Sequence, residues 1–269
     1  MVEQYDSTTV VPPDCVVKVD PYGNLVVDVS RAIARHDHGA LQDPVMMRVI
    51  GGAFQAIAKE MAGVLYRMSY SSIIRESEDL GAGIFDAAGN MIAESDSTPM
   101  FMGAMPKIVQ NVIRLLGEDI HEGDIILHND PYYGATHSPD CAIVIPIFHD
   151  GRLIGFSGAS AHLLDIGGAS PGINIDCVDI YAEGNIYRAV KIARAGEWQE
   201  HVWQHILDNV RTPTFNRGDL QAMIAACKLA QRRFLELVGR YGEDALAAAG
   251  QHWMDYSESM LRQEIAKIP

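Results

Sequence analysis

The sequence predicts an α+β fold, with a β-rich centre, flanking helices and a helical C-terminal part. Three observations predict it: a long amphipathic helical pattern opens the body of the chain, short β-branched runs set between polar loops fill residues 124 to 167, and helical periodicity returns after about residue 196.

Residues 1–43 read as an N-terminal arm. Val16–Val19 and Leu25–Val29 are short β-type runs, and Asp20-Pro21-Tyr22-Gly23-Asn24 between them is turn chemistry. Arg35-His36-Asp37-His38-Gly39 is polar. Such an arm either packs on a partner chain or runs on as a disordered tail.

The body, residues 44–269, reads as one domain, since no Pro/Ser linker, repeat or low-complexity segment divides it. Asp43 can cap a first helix and Pro44 suits its first turn. Met46, Val49/Ile50, Phe54, Ile57, Met61, Val64/Leu65 and Met68 then recur at three- and four-residue steps, a core face whose methionines fill irregular gaps. Gly83 to Ala93 reads as a hairpin. A second amphipathic helix is expected over 106–117, with Ile108, Val109, Val112, Ile113 and Leu116 on its apolar face and Gly117 as its stop. Ile125–Leu127, Ala142–Ile147 and Leu153–Phe156 are strand-like, the last two joined by the turn Asp150-Gly151. Three C-terminal helices are expected at about 197–210, 219–238 and 243–267, the middle one with Asp219 near its start and Gly239 past its end.

Composition narrows the function. With 269 residues and 48% apolar content the chain can bury a sizeable core. A formal charge of −14 repels nucleic acid and anionic membranes. It also repels free nucleotide, so ATP would need a local basic site or another subunit. Cys15, Cys141, Cys177 and Cys227 form no CxxC pair and fit a reducing cytoplasm. No apolar run nears the ~18 residues of a membrane span, and the N-terminus lacks the basic and apolar regions of a secretory signal. A cytoplasmic protein is expected.

Chemistry concentrates in two polar loops, His128 to Asp140 and His162 to Gly168. His137 and Asp140, three apart, can offer an imidazole and a carboxylate to one point, and His162 can complete a two-His, one-carboxylate set. That mixed set suits a divalent transition metal such as Mn, Fe or Zn with positions left for water or substrate. The bland alternative has the two histidines shaping a pocket by hydrogen bonding or acting as bases without a metal. Asp130, His137, His162 and Asp165 are the acid–base candidates of these loops. Rivals are weaker. His201 and His205 share a helix face but lack the glutamate of HExxH. Ser157 and Ser160 lack a GxSxG elbow, Cys141 leads into an apolar strand, and Arg75 to Asp79 reads as a solvated turn or a substrate- or partner-orienting cluster. No GxxxxGK[ST] loop and no GxGxxG unit are present.

Four motifs in fixed order carry a resemblance: Glu76…Asp79…Gly81-Ala82-Gly83-Ile84-Phe85-Asp86…Gly89; Gly123-Asp124…Asn129-Asp130-Pro131-Tyr132…Gly134…His137…Pro139-Asp140; His162…Asp165-Ile166-Gly167-Gly168…Pro171-Gly172; and Asn209-Val210-Arg211…Asn216…Gly218-Asp219-Leu220. Over residues 44 to 269 they make the chain similar to the hydantoinase B/oxoprolinase family, closest to the acetophenone carboxylase-type branch. The resemblance implies a hydantoinase B-like fold and a subunit of an ATP-dependent ketone carboxylase. A companion hydantoinase A-type ATPase subunit would phosphorylate a carbonyl oxygen, and this chain would host carboxylation of the enolate by bicarbonate-derived CO2. The alternative it admits is a hydantoinase, lactamase or 5-oxoprolinase subunit hydrolysing a cyclic amide, and against both stands a non-catalytic scaffold. By resemblance, His137, Asp140 and His162 would hold the metal, ATP would sit on the partner, and the substrate would be a small carbonyl compound. The family's B-type subunits are longer, so a further partner supplying the C-terminal part is also expected.

Overall fold

The computed structural model describes residues 2–3, 8–11, 15–28 and 43–268. The chain divides into two units, residues 1–46 and 47–269. In the first, β1 (Val2–Glu3) pairs antiparallel with β2 (Thr8–Thr9), and β3 (Val16–Val19) pairs with β4 (Leu25–Asp28) as a hairpin. Asp20 shapes that hairpin's turn, its Oδ1 accepting the Tyr22 and Asn24 amides at 2.9 and 2.8 Å. The polar stretch Arg35 to Gly39 lies outside the described residues.

The second unit is built on a seven-stranded antiparallel sheet. In chain order the elements are α1 (Pro44–Met68), α2 (Ser72–Arg75), β5 (Leu80–Asp86), β6 (Met91–Glu94), α3 (Pro99–Leu116), β7 (Ile125–His128), β8 (Asp140–His149), β9 (Arg152–His162), α4 (Ile180–Glu183), β10 (Val190–Arg194), β11 (Glu197–Trp198), α5 (Glu200–Asp208), α6 (Pro213–Tyr241) and α7 (Glu243–Ile265). The spatial order is β11-β10-β7-β8-β9-β5-β6. The long β8–β9 hairpin forms its middle. Its turn takes positive φ at both Asp150 (48°) and Gly151 (75°), the geometry that matches strand twist in two-residue hairpins.

Helices cover both faces. Side chains alternate along β9, so Ser157 reaches α6, its Oγ donating to the Cys227 carbonyl at 3.0 Å, while Phe156 joins the core with Phe85, Phe101, Met105, Val109 and Val112 under α3. On the α6 side a further layer forms where Phe54 of α1 stacks on Phe234, ring centroids 5.9 Å apart.

Several boundaries differ from the sequence expectation. Helix α3 starts at Pro99, seven residues before the expected position 106, because Phe101 and Met105 bury at 1% and 3% exposure. Pro106 therefore lies inside the helix, and its missing N–H would have served the carbonyl of Met102, a residue half exposed to water. Helix α6 starts at Pro213 and stops at Gly242, where φ is 83°. Asp219 is thus interior to α6, not its cap, and Gly239 is inside it too. Residues 197–198 pair with β10, delaying α5 to Glu200. The sequence pattern does not mark β10, because Lys191 interrupts its apolar run; the ammonium is buried against Asp124 Oδ2 at 2.8 Å and Asp119 Oδ1 at 3.1 Å.

Gly81 is where α3 meets the sheet, since a Cβ there would stand 2.5 Å from Phe101 Cβ. Gly81→Ala is expected to lower unfolding free energy by about 1–3 kcal/mol through overpacking. The urea midpoint, with unchanged slope, measures it.

Candidate metal centre

The hairpin brings two of the candidate residues face to face. Asp140 is the first residue of β8 and His162 the last of β9, and they are directly paired in the ladder. Opposed residues share a sheet face, so the side chains meet, His162 Nδ1 lying 3.2 Å from Asp140 Oδ1. His137 arrives from the loop before β8. The Asp140 amide donates to the His137 carbonyl at 3.1 Å, closing a turn that sets His137 Nδ1 2.9 Å from Asp140 Oδ2. The imidazole centroids are 4.9 Å apart, and one donor atom from each of the three residues lies within 4.8 Å of the others. Side-chain exposure is 27% at His137, 3% at His162 and 1% at Asp140, so the cluster opens to solvent on the His137 side.

Backbone ties hold the loop. The Leu163 amide donates to the Pro139 carbonyl at 3.0 Å, Asn129 Nδ2 donates to the Ser138 carbonyl at 2.7 Å, and Glu183 of α4 accepts the Ser138 amide at 3.2 Å. The Thr136 hydroxyl is also hydrogen-bonded to Asp140 Oδ2.

The charges of the cluster are coupled. Burial pushes the Asp140 carboxyl up, but hydrogen bonds from His137, His162 and Thr136 outweigh it and hold the group below its ordinary value. The Asp140 hydrogen bond raises the His137 imidazole against the opposing effect of burial. A fourth group faces them. Asp79, half-buried, has its carboxyl raised by burial first and by the Asp140 charge second. Its carbonyl accepts the His162 amide at 3.2 Å. In the sequence Asp79 stands only at the end of a charged turn, with no visible link to the site. The missing signal is strand order: Leu80 pairs with Ala161, so Asp79 falls beside His162 only once β5 is known to flank β9.

The other two acid–base candidates lie outside this cluster and are committed elsewhere. Asp130, 0% exposed, accepts the Tyr132 amide at 2.9 Å and pairs with Arg188 at 2.6 Å, whose guanidinium also stacks 4.2 Å from the Tyr133 ring centre. Asp165, 1% exposed, accepts the Gly167 amide at 2.9 Å, the Arg211 amide, and the Arg211 guanidinium at 3.1 Å. Both fasten the loops that carry the histidines. His128, wholly buried, is pushed toward the neutral form by burial; its Nδ1 accepts the Ala189 amide at 3.3 Å.

The rival sites do not assemble among the described residues. His201 and His205 stand on α5, away from any metal-holding group. Ser157 and Ser160 are buried and donate to the Cys227 and Cys141 carbonyls. Cys141 is buried with its thiol pushed strongly up by burial, and the four cysteines are free. No helix among the described residues is long and apolar enough to cross a membrane.

A metal fits this donor set on one observation in particular. Asp130 and Asp165, buried carboxylates of the same loops, are each neutralised by an arginine. Among the described residues no arginine or lysine pairs with Asp140; it faces two imidazoles. Two nitrogen donors and one carboxylate, gathered around a buried charge that no guanidinium or ammonium meets among the described residues, are ligands suited to a divalent transition metal.

The family model described as Hydantoinase B/oxoprolinase matches residues 43–269. A Pseudomonas sp. (strain NS671) protein, described as the B-type component of a D-/L-hydantoinase, is 42% identical over 233 residues, covering 84% of this chain and 39% of that protein. The beta component of the Pseudomonas jessenii caprolactamase is 34% identical over 228 residues, with the same coverage. The crystal structure of that organism's ATP-dependent caprolactamase superposes with a TM-score of 0.80 over 84% of this chain and 39% of its own. Nucleotide-free acetone carboxylase superposes at 0.73 with 21% identity, over 82% of this chain and 30% of its own, a likeness of fold. The chain thus spans about 39% of the length of the first two relatives.

The His137–Asp140 pair makes stability depend on pH. Because folding raises the His137 pKa, its contribution is full below the ordinary histidine value and is lost as pH rises through the raised one. Asp140, lowered, contributes above the ordinary carboxylate value and loses that contribution as pH falls through the lowered one. The metal-free chain is therefore expected to lose stability as pH rises above the ordinary histidine value. Urea unfolding across that rise should show the decline in the native sequence and a flatter profile in His137→Gln.

Proposed function

The chain belongs to the hydantoinase B/oxoprolinase family, and on that premise we propose that it forms the metal-holding, reaction-hosting part of an ATP-dependent enzyme that hydrolyses a cyclic amide such as a hydantoin or lactam. The observation that carries this is the meeting of His137, Asp140 and His162, with Asp79 beside His162. Relatives at 42% and 34% identity, named as components of a hydantoinase and a caprolactamase, support the amide reading.

The chain's acidic surface is poor for nucleotide, and by its family likeness ATP would sit on a companion hydantoinase A-type subunit, with further chain completing the B-type part. His137, Asp140 and His162 would hold Mn, Zn or Fe, which when bound supplies a cation to offset the oxyanion that develops on an attacked carbonyl. Asp79 takes the proton of the attacking water. Its raised pKa makes it a better base than an exposed carboxylate, and it stands beside the cluster without an arginine partner among the described residues. Asp130 with Arg188, and Asp165 with Arg211, keep the two loops in register. Glu183 fixes the Ser138 end of the His137 loop.

A second reading keeps the same residues and replaces water with a carbon nucleophile: a ketone carboxylase, in which an activated enolate meets bicarbonate-derived CO2. The segment YRMSYSSIIRESEDLGAGIFD and the motifs HLLDIGGASPGIN and NVRTPTFNRGD support it. Assay of the assembled complex separates the two. ATP turnover driven by hydantoins or lactams without bicarbonate is the expected result. Turnover that needs a ketone and bicarbonate would instead establish the carboxylase.

In the assembled complex, His162→Ala is expected to strip the metal, measured by elemental analysis, and to abolish turnover with assembly intact. Unchanged activity would leave only a scaffold role. Asp79→Asn is expected to keep the metal while lowering kcat roughly 10²–10⁴-fold.

A further inference from the structure

The segments that carry Asp79 and His162 come from distant parts of the sequence, and one helix start fastens both. The motif Asn209 to Asp219, part of the family resemblance but without an assigned role, forms the lead-in and first turns of α6. Its earlier residues hold the loop after His162: Asn216 Nδ2 donates to the Asp165 carbonyl at 2.6 Å, the Thr212 hydroxyl donates to Asn216 Oδ1 at 3.0 Å, and Arg211 Nη2 donates to the Gly168 carbonyl at 2.8 Å. One turn later, Asp219 reaches the other segment. Its Oδ1 accepts the Tyr70 amide at 2.7 Å and the Ser71 amide at 3.1 Å. Gly218 allows that approach, because a Cβ there would stand 2.4 Å from the Tyr70 ring.

From Ser71 a connected relay reaches the candidate centre. Helix α2 has no side-chain cap of its own at Ser71. The Arg75 amide donates to the Ser71 carbonyl at 3.1 Å, the Asp79 amide to the Ile73 carbonyl at 3.3 Å, and the His162 amide to the Asp79 carbonyl at 3.2 Å. Glu78 sits within this relay at φ 54°, a conformation that a non-glycine residue holds only when its surroundings fix it.

Asp219 is an expensive way to hold two amides. It is 0% exposed, no arginine or lysine pairs with it among the described residues, and its Oδ2 has no protein partner. The Ser69 and Ser71 hydroxyls of the segment it grips are likewise buried and unpartnered. Apolar packing commonly outperforms a buried charge for stability alone. A carboxylate retained in that setting points to a geometric demand.

We propose that Asp219 is a positioning residue: by gripping Tyr70 and Ser71 it sets Asp79 and, through the Asp79 carbonyl, the end of β9 that presents His162. The contacts stand by themselves; their meaning for catalysis rests on the active-site reading above. The relay predicts a local signature. In Asp219→Leu, amide exchange at His162 should accelerate at least about tenfold while the Phe156 amide in the middle of β9 stays slow. Asp219→Asn keeps an acceptor oxygen and should restore slow exchange. Gly218→Ala reaches the same segment through the Tyr70 ring without touching Asp219, and should give the same signature should Asp219→Leu fail to fold. Phe234→Leu, a core change farther along α6, is the control for general destabilisation. Exchange at His162 no faster in Asp219→Leu and Gly218→Ala than in Phe234→Leu overturns the proposal. Affinity for Zn or Mn, titrated on the same proteins, should fall about 10–100-fold in Asp219→Leu and hold in Phe234→Leu. A native chain that binds neither metal would overturn the metal reading, while the exchange result still decides the role of Asp219.

Discussion

The structure depends on the register of one hairpin. From the turn outward, β8 and β9 pair as His149 with Arg152 and Phe148 with Leu153, and then the count shifts so that Ile147 pairs with Gly155. That one-residue bulge persists to the far end, where Asp140 meets His162. Without it Asp140 would stand opposite Ala161, and His162 would pass to the next position beyond. Since neighbouring residues face opposite sides of a sheet, the loss of that single residue would take the imidazole off the carboxylate's partner position and move the apolar residues of β9 off the core. The chemistry and the packing are therefore set by the same pairing. Gly155 at the bulge has the backbone carbonyl of Phe85 2.5 Å from where a Cβ would lie, so the neighbouring strand β5 leaves no room for a side chain there.

The buried carboxylates around this hairpin separate by partner. Asp124 is met by Lys191, Asp130 by Arg188 and Asp165 by Arg211. These are closed pairs, and their worth lies in fixing loops, because breaking a buried pair leaves an uncompensated charge. Asp219 is met by backbone amides, Asp140 by imidazoles. Imidazoles can give up a proton near neutral pH and guanidinium cannot, so of these five carboxylates Asp140 alone has partners that can exchange a proton for a metal. Burial thus supplies several acids in one region, and the identity of the opposing base decides which of them is free for chemistry.

Much of this is legible in the sequence, and what is not legible is physically instructive. The β5–β6 and β8–β9 hairpins show in turn chemistry and in short apolar runs, both local signals. The triad shows in a three-residue spacing and a histidine one hairpin later. Asp79 does not show, because its place beside His162 follows from β5 lying next to β9, which no local pattern encodes. Asp219 reads wrongly as a helix start for a related reason. An aspartate before an apolar run is helix-cap chemistry, but here Pro213 starts the helix six residues earlier and Asp219 caps a different segment altogether. Strand β10 escapes notice because Lys191 breaks its apolar pattern, and that lysine is tolerated only where Asp119 and Asp124 receive it.

The same geometry explains why sequence and structure name a family more readily than a reaction. Attack of water on an activated ring amide and attack of an enolate on CO2 both build negative charge on a carbonyl-derived oxygen, and both are helped by a fixed cation. A cluster of two imidazoles and a carboxylate serves either. What differs is the species that must be held beside it: a water with a base to deprotonate it, or a carbanion equivalent kept away from proton donors. Asp79, with its pKa raised by burial and by Asp140, is a proton acceptor beside His162. A carbanion gains nothing from such a base once formed, and stands to be quenched by the same carboxyl whenever it is protonated. That asymmetry supports the amide-hydrolysis proposal.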